Sequence, residues 1–258
     1  MTFKRWMLAR RTTQVTIILL ILSPLAGLHI FQGNLASAAL FDVRLTDPLA
    51  ALQVMLATHG IVPAFAGSAL LVTGMYFLLG GRTFCAWVCP VYLLTELADK
   101  LRVRLGSGEN TISLKLKQAT LLVTVIVTAL TGLPLFETIS PIGIFNRAIL
   151  FGGGIALLFI AAILLLEIAV SRRLWCRSIC PVGGLYSLVG RFSPVKVKYV
   201  RSRCSACGHC MKTCPVEEVL VPSLVIGAPT ISSGECTRCG RCIDTCRDGA
   251  LHMGIGYK

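Results

Sequence analysis

Two closely spaced cysteine runs constrain the fold of this chain more than any other feature. Each run has the form Cys-x-x-Cys-x-x-Cys-x-x-x-Cys, and the runs begin at Cys204 and Cys236. The chain has 12 cysteines, and none of them precedes Cys85. A disulfide scaffold would spread its cysteines through a small secreted chain, so this clustering indicates metal binding. Structural zinc uses paired Cys-x-x-Cys knuckles and does not need a third cysteine at the same interval.

The spacing of both runs is that of the cysteine ligands of a bacterial-type ferredoxin with two [4Fe–4S] clusters. Three cysteines on a tight loop hold three corners of one cluster, and the fourth cysteine of each run reaches the other cluster. The first predicted ligand set is Cys204, Cys207, Cys210 and Cys246, and the second is Cys236, Cys239, Cys242 and Cys214. Gly208 and Gly240 follow the second ligand of each run and allow the loop to bend tightly. Arg247 replaces the proline that is usual after the fourth cysteine.

Basic residues lie next to or close to predicted ligands. Among them are Arg203, Lys212, Arg238 and Arg241. Because net charge is one determinant of cluster potential, we expect both clusters to lie above the low end of the ferredoxin range.

The rest of the chain is unusually apolar. Hydrophobic residues make up 55% of the sequence and charged residues only 14%, whereas about a quarter of an ordinary soluble domain is charged. Runs of about 20 apolar residues are long enough to cross a bilayer. Four such runs predict four transmembrane helices, at roughly Thr13–Phe31, Ile61–Leu79, Gln118–Phe136 and Ala148–Val170.

The basic residues are grouped on one side of these predicted helices. They lie in the N-terminal tail, between the second and third runs, and directly after the fourth run. Since positive charge stays on the cytoplasmic side, we expect a multi-pass protein of the bacterial inner membrane with both termini in the cytoplasm. This orientation signal also explains the formal net charge of +13, so we expect no nucleic-acid partner.

A short motif occurs once in each half of the apolar region. Cys85–Pro90 and Cys176–Pro181 both have the form Cys-x-x-x-Cys-Pro, with an aromatic residue before the first cysteine and valine after the proline. Residues i and i+4 share a face of a helix, so each pair of thiols is expected to point one way. The repeat favours a function for these thiols, either in redox chemistry or in metal binding, over simple helix packing.

The sequence changes character near residue 194. Alternation of apolar and polar residues over Val195–Val200 predicts a strand, and Leu251–Ile255 is a candidate closing strand. We therefore expect a four-helix membrane domain at residues 1–193 and a cytoplasmic ferredoxin-type domain at residues 194–258. The expected fold class is a polytopic α-helical membrane protein, four transmembrane helices in two repeats, with a C-terminal α+β ferredoxin-like domain that carries two [4Fe–4S] clusters.

Three residues are weak candidates for accepting protons. Glu167 lies within a predicted membrane helix, where ionisable residues are functional candidates by default. A salt bridge from Glu167 to Arg172 is the structural alternative. Asp47 lies in a loop on the outer side, where a solvated role is the alternative, and His29 lies near the outer end of the first run.

Together these features resemble the NapH family, the quinol dehydrogenase membrane component associated with periplasmic nitrate reductase. The ferredoxin runs are shared by many electron carriers. The sequence Leu-Thr-Asp-Pro-Leu at Leu45–Leu49, combined with two Cys-x-x-x-Cys-Pro motifs, is a narrower match. The matching segments are His29–Asn34, Leu40–Leu52, Cys85–Pro90, Leu130–Gly132, Cys180–Gly183, Leu185–Tyr186 and both ferredoxin runs.

The resemblance implies a membrane electron-transfer subunit. Such a subunit oxidises quinol from the membrane pool and passes electrons through two [4Fe–4S] clusters towards a periplasmic reductase. The implied partners are a periplasmic ferredoxin-type protein of the NapG kind and cytochromes, and the chain would be a quinol dehydrogenase component rather than a stand-alone enzyme. Two alternatives stay open: a role in methylamine utilisation, as for the similar MauN proteins, and metalloenzyme maturation, in which Cys85, Cys89, Cys176 and Cys180 handle a metal such as copper.

Overall fold

The computed structural model describes residues 5–27, 31–34, 37–40, 43–106 and 112–256. The chain forms two compact units. The cysteine-rich unit comprises the described residues of Met1–Gln14, Met75–Val88 and Tyr186–Lys258. The helical unit comprises the described residues of Val15–Gly74 and Cys89–Leu185. Both ferredoxin runs therefore lie in one unit, together with two segments from earlier in the chain.

Most of the described residues are helical. The α-helices are α1 (Arg5–Leu22), α2 (Pro48–Ala57), α3 (Pro63–Leu79), α4 (Thr83–Trp87), α5 (Pro90–Leu105), α6 (Lys115–Thr131), α7 (Leu135–Ile139), α8 (Pro141–Phe151), α9 (Gly154–Ala169), α10 (Pro181–Phe192), α11 (His209–Thr213), α12 (Val221–Leu224) and α13 (Arg241–Thr245). Five of them begin with proline, whose fixed φ suits the first helical position. Shorter 3₁₀ turns cover Ser23–Ala26, Arg201–Arg203 and Glu217–Val219, and a π-helical turn covers Trp175–Ile179.

The predicted four-helix membrane fold is wrong. Among the residues that the structure describes, no helix combines the length and the apolar character needed to cross a membrane. Helices α3 and α9 have 17 and 16 residues. At 1.5 Å per residue they measure about 26 and about 24 Å, less than the hydrocarbon core of about 30 Å. Helix α1 has 18 residues, but it includes Arg5, Arg10 and Arg11.

Turn-forming residues inside the apolar runs explain these short helices. The 3₁₀ turn Ser23–Ala26, which contains Pro24, follows the end of α1. Gly132 ends α6 in a left-handed conformation, with φ 67°. Gly152, with φ 65°, ends α8 and separates it from α9. The hydropathy of the runs was clear from the sequence, but these interruptions decide how far each helix extends.

A small antiparallel sheet forms the base of the cysteine-rich unit. Strand β4 (Val195–Tyr199) lies between β5 (Thr230–Ile231) and β6 (Leu251–Ile255). In the register, Val197 is opposite both Ile231 and Met253. The two strands predicted from the sequence are thus confirmed as β4 and β6, and they pair with each other.

A second antiparallel sheet lies in the helical unit, where the sequence predicted only a loop. Its strands are β1 (Phe31–Asn34), β2 (Ser37–Leu40) and β3 (Val43–Thr46), in that order. The strands have four residues each, too short for a clear alternating pattern. In the rest of this unit α9 packs against both α5 and α8, and α2 packs against α6.

Candidate functional site

The two ferredoxin runs form loops with the same backbone conformation. In each loop the second cysteine lies between two residues in the left-handed region. These residues are Ala206 (φ 55°) and Gly208 (φ 71°) in the first loop, and Arg238 (φ 47°) and Gly240 (φ 74°) in the second. The bends predicted at the two glycines are confirmed. The left-handed residues on the other side of the cysteine carry no mark in the sequence, because neither is glycine.

A short helix follows each glycine and leads to the fourth cysteine of the run, which lies beside the other loop. Helices α11 and α13 begin directly after Gly208 and Gly240, and they pack against each other. Cys214 and Cys246 follow these helices in extended conformation. The fourth cysteine of each run is thereby carried across to the thiols of the other run.

The first cavity brings together one of the predicted ligand sets. Its volume is about 430 Å³, and its lining includes Cys204, Cys207, Cys210 and Cys246. Tyr199, Leu224 and Leu251 supply apolar wall. The side of the cavity at Cys207 is open, because this residue is exposed while the other three cysteines are half-buried.

The second cavity brings together the other predicted set. It is lined by Cys214, Cys236, Cys239 and Cys242, and its volume is only about 20 Å³. Cys214, Cys239 and Cys242 keep no more than 9% of their surface exposed. Val216, Val219 and Leu220, all buried, complete the wall. The two predicted sets thus occupy different surroundings, one open and one enclosed.

The donor chemistry of both cavities suits a [4Fe–4S] cluster. Such a cluster needs four deprotonated thiols around a shared space. Burial raises the pKa of Cys242 well above its usual value, and neighbouring thiols, including Cys214, raise it further. In the described residues, no three His, Cys, Asp or Glu side chains meet at a point where one metal ion would bind. Four thiols line each cavity, and their role as cluster ligands stays a prediction.

Residues from an earlier part of the chain enclose the second loop. The Arg82 guanidinium lies 2.6 Å from the Glu235 carboxylate and also donates to the Glu235 carbonyl at 3.0 Å. Trp87 donates its indole N–H to the carbonyl of Arg238 at 3.2 Å. Both residues flank Cys85, so the first Cys-x-x-x-Cys-Pro motif begins directly against the loop of the second cavity.

Arg238 is the cation most closely built into this loop. Its guanidinium donates to the carbonyls of Gly190 at 2.8 Å, Cys236 at 2.9 Å and Val195 at 3.0 Å, and also to that of Gly80. Burial raises the pKa of Cys236, and the charge of Arg238 opposes this rise. Of the four cations predicted to tune the clusters, Arg238 is thus buried beside a ligand, whereas Arg203 and Lys212 are exposed.

Helix α1 closes the same loop from another side. The backbone N–H groups of Trp6 and Met7 donate to the Asp244 carboxylate at 3.2 and 2.8 Å. A Cβ atom at Gly240 would stand 2.4 Å from the side chain of Trp6. The equivalent Cβ at Gly208 would meet nothing within 4 Å. The first loop has no such cover among the residues that the structure describes.

The two Cys-x-x-x-Cys-Pro motifs share a local architecture that differs from a continuous helix. In each, the first cysteine lies in a short helical turn, and the second is extended (ψ 119° at Cys89, 115° at Cys180) directly before a proline that begins α5 or α10. The predicted arrangement of i and i+4 thiols on one helix face therefore does not form. The second motif contains a π-helical turn, in which the backbone N–H of Cys180 donates to the carbonyl of Trp175 at 2.9 Å.

Buried charged residues surround Cys176 in the helical unit. Its sulfur lies 3.8 Å from the Thr95 hydroxyl. The Arg173 guanidinium stacks 4.6 Å above the Tyr92 ring and lies 3.5 Å from the Asp99 carboxylate. Burial alone would lower the pKa of Arg173, but these facing groups raise it. From the sequence, Arg173 is expected to be one of the basic residues that flank the fourth apolar run, an expectation that misses this role. Its nearness to Glu96 and Asp99, one helical turn apart in α5, is not visible in the sequence.

Glu167 lies beside the same motif. One carboxylate oxygen accepts the backbone N–H of Trp175 at 3.2 Å, and the other is buried without a hydrogen bond. Burial is the main reason why the pKa of Glu167 rises to about 7. Arg172 pairs with Asp99 at 3.1 Å, so the salt bridge proposed from Glu167 to Arg172 does not form.

Asp47 and His29 are the other two weak candidates for proton transfer. Asp47 caps the N-terminus of α2, where its carboxylate accepts the N–H groups of Leu49 at 3.0 Å and Ala50 at 3.3 Å. This is a structural role. His29 lies outside the described residues.

Two known domain families match this chain. The 4Fe–4S binding domain family matches twice, at residues 61–107 and 153–199, and each match contains one Cys-x-x-x-Cys-Pro motif. A double match is what the internal repeat predicts. The 4Fe–4S dicluster domain family matches residues 196–247, which contain both ferredoxin runs. No solved structure matches the chain.

Three relatives cover most of the chain. The methylamine utilization ferredoxin-type protein MauN of Paracoccus denitrificans is 41% identical over 90% of this chain and 83% of its own. MauN of Methylobacillus flagellatus is 38% identical over 97% of this chain and 90% of its own. The ferredoxin-type protein NapH of Escherichia coli is 37% identical over 84% of this chain and 77% of its own. The resemblance to NapH and MauN is confirmed.

Proposed function

Because the chain belongs to the family of ferredoxin-type proteins that includes NapH and MauN, we propose that it oxidises a quinol and passes the electrons to a protein reductase through two [4Fe–4S] clusters. Electron transfer by a ferredoxin-type protein follows from the family. The observation that carries the more specific proposal is the pair of cavities, each with three cysteines of one run and the fourth of the other.

In this proposal the two cavities have different roles in electron transfer. Clusters bound by these thiols supply one-electron steps, which a two-electron donor such as a quinol requires. Helices α11 and α13, which follow the two loops, pack against each other, and this nearness of the two sites supports exchange of electrons between them. Arg82 and Trp87 hold the first Cys-x-x-x-Cys-Pro motif against the second cavity. We place the entry of electrons at the second cavity and their exit at the open first cavity.

Quinol oxidation also releases two protons, and the chain must accept them. Glu167 is a candidate among the described residues, because it lies beside the second Cys-x-x-x-Cys-Pro motif and its pKa of about 7 leaves a large fraction ready to take a proton at neutral pH. Its oxygen without a hydrogen bond is the atom that would hold the proton. Asp47 is a poorer candidate, since the hydrogen bonds that it accepts from the N–H groups of Leu49 and Ala50 stabilise the carboxylate form at the start of α2.

The acceptor separates two versions of this proposal. In the NapH-like version the electrons go to a periplasmic ferredoxin-type protein of the NapG kind and then through cytochromes to nitrate reductase. In the MauN-like version they serve methylamine utilisation, and the higher identity and coverage of the MauN relatives favour it. Deleting the gene and comparing growth on nitrate with growth on methylamine distinguishes the two, because only the served pathway should fail. Fractionation of the same cells tests the predicted location in the inner membrane.

A maturation role is the proposal's competitor from another class. It requires metal binding by Cys85, Cys89, Cys176 and Cys180. In the part of the chain that the structure describes, no three potential ligands of this kind meet at one point. Titration with Cu(I) under anaerobic conditions tests the competitor, and stoichiometric binding that is lost in Cys176→Ser would favour it.

Electron paramagnetic resonance on the anaerobically purified chain tests the main proposal. The protein is titrated first with a reduced quinone analogue and then with dithionite. We expect cluster signals to appear with the quinol, and to be lost or halved in Cys204→Ser and in Cys239→Ser. Signals that appear only with dithionite would remove quinol as the donor. Signals unchanged in both variants would remove the assigned ligands.

A further inference from the structure

We propose that the surface around Cys207 is a docking site for a protein electron carrier with an acidic surface. This outer face is formed by Arg201, Arg203, Cys207, Val225 and Arg247. The inference rests on the proposed passage of electrons through the first cavity, and it adds the chemistry of the partner that meets it there.

The exposure of the two ligand sets places the exit at this face. Cys207 is exposed, and the three cysteines that share its cavity are half-buried. In the second set three of four cysteines are buried. Helix α1 and the segment around Arg82 also cover that loop. A carrier bound at Cys207 approaches the first cavity without moving any of the residues that the structure describes.

The charges of this face are predominantly positive. Arg201, Arg203 and Arg247 are exposed, and His209 lines the same cavity. The acidic residue among the lining groups is Asp248, whose carboxylate is engaged by the hydroxyl and the backbone N–H of Ser205. Arg201 lines the cavity together with Asp248, and the exposed Arg203 and Arg247 are next to the ligands Cys204 and Cys246 in the chain, so positive charge predominates here. Complementary charge steers encounter and fixes orientation, so the fitting partner carries acidic residues around its own redox centre.

An apolar centre accompanies this basic rim. Val225 and Ile226 keep 67% and 77% of their surface exposed, and Val225 lines the first cavity together with Leu224. The Arg201 side chain lies against Gly227, whose φ of 85° turns the chain directly after these residues. Protein interfaces combine an apolar core with a polar rim, and arginine is enriched in them. A small-molecule donor would need neither the exposed aliphatic side chains nor the arginines.

Charge also decides among the other possible occupants. A second copy of this chain would present the same basic face, on a molecule with a formal net charge of +13, and would be repelled. An anionic lipid surface would attract the arginines, but lipid binding does not require an exposed cysteine of a redox site. A protein carrier accounts for both features.

The test uses the cluster-loaded full chain and reduced flavodoxin, a small acidic protein that donates one electron at a time. Each encounter oxidises the flavin by one electron and reduces the chain by one. Stopped-flow absorbance gives the second-order rate constant at low and high salt. The variant Arg201→Glu with Arg203→Glu is compared with Arg191→Glu, an exposed arginine of the same unit that neither lines the first cavity nor is next to one of its cysteines in the chain. Iron content of each variant shows that the clusters are retained.

We expect the rate constant of the unaltered chain to fall as salt increases. The double variant should be slower by about tenfold or more at low salt and nearly insensitive to salt, whereas Arg191→Glu should change the rate by no more than about twofold. Equal effects of the two variants, or a rate independent of salt, would overturn the proposal. Binding to phosphatidylglycerol vesicles that depends on Arg201 and Arg203, with an unchanged flavodoxin rate, would overturn it in favour of a lipid surface. None of these outcomes involves quinol, so failure of quinol to reduce the clusters is a separate result.

Discussion

The two cysteine loops of this chain have the same spacing and the same backbone conformation, yet they differ in what covers them. The first loop surrounds an open cavity with Cys207 exposed at its edge. The second loop is enclosed by Trp6, Arg82 and Trp87, which come from the N-terminal helix and from the first Cys-x-x-x-Cys-Pro segment. Equal local geometry therefore does not imply equal function. Long-range cover makes one site internal and leaves the other accessible to a partner.

Replacing one ligand in each set is the strongest way to test this difference. Cys207→Ser and Cys239→Ser should each reduce the iron content from about eight to about four atoms per chain. Cys239→Ser should also destabilise the fold by more than about 3 kcal/mol, because its site joins segments that are distant in sequence. Iron analysis and chemical denaturation measure the two effects. Equal losses of stability in both variants would contradict the assignment of the second site as the internal one.

The buried ion pair beside the second loop provides the next test. Arg82→Met leaves the Glu235 carboxylate largely buried without its partner, so we expect a loss of about 3 kcal/mol. Arg201→Met, at the exposed edge of the first loop, should change stability by less than about 0.5 kcal/mol. Denaturant midpoints of the two single variants give the comparison. Similar midpoints would mean that Arg82 does not hold the cover in place.

The two equivalent glycines isolate the contribution of helix α1. Gly208→Ala introduces only left-handed backbone strain, expected to cost about 1–2 kcal/mol, since no atom lies within 4 Å of the new methyl group. Gly240→Ala adds a clash with Trp6 and should cost about 1 kcal/mol more than Gly208→Ala. Combining Gly240→Ala with Trp6→Ala removes the clash, so the double variant should be no less stable than Trp6→Ala with Gly208→Ala. A full additive loss would refute the contact.

Changing the pH tests another difference between the second loop and the helical unit. The cations that enclose the loop, Arg82 and Arg238, do not titrate near neutrality, whereas the pKa of Glu167 is raised to about 7. A carboxyl whose folded pKa lies above its unfolded value favours folding at low pH. This contribution is lost between about pH 4.5 and pH 7 and stays absent above that range. Glu167→Gln keeps an acceptor for Trp175 and should remove this pH dependence, on the order of 1–2 kcal/mol. Thermal melts at pH 5 and pH 8 measure this effect. If stability changed with pH as much in Glu167→Gln as in the unaltered chain, burial of the charged carboxylate would be excluded as the cause.

Sequence patterns predicted the parts of the cysteine-rich unit that depend on local geometry. The grouping of thiols into two crossed sets followed from spacing, and strands β4 and β6 followed from alternation of apolar and polar residues. The same kind of argument failed for the helical unit. Mean hydropathy over 20 residues predicted four membrane helices, but Gly132, Gly152 and the turn at Ser23–Ala26 interrupt them. Hydropathy reports the environment that a segment prefers, whereas helix length depends on single backbone conformations.

Charged residues were the other source of error. From the sequence, basic residues beside the apolar runs are expected to be cytoplasmic flanking charges, but the structure buries Arg82, Arg102, Lys117, Arg173 and Arg177. Arg82 pairs with Glu235, 153 positions away, and Arg173 pairs with Asp99. No periodicity records such pairs.

The sequence by itself determined which cysteines belong together, where the loops bend and to which family the chain belongs. Each run spans about a dozen positions, so spacing within it specifies the loop, and the repetition of the run specifies which fourth cysteine belongs to which set. Only the tertiary structure decided that one loop is covered and the other open. The contacts responsible join residues as far apart as Trp6 and Asp244, 238 positions in the chain. Such contacts form because folding brings distant segments against the same loop, and the same physical cause leaves Cys207 as the exposed thiol of an otherwise symmetrical pair of sites.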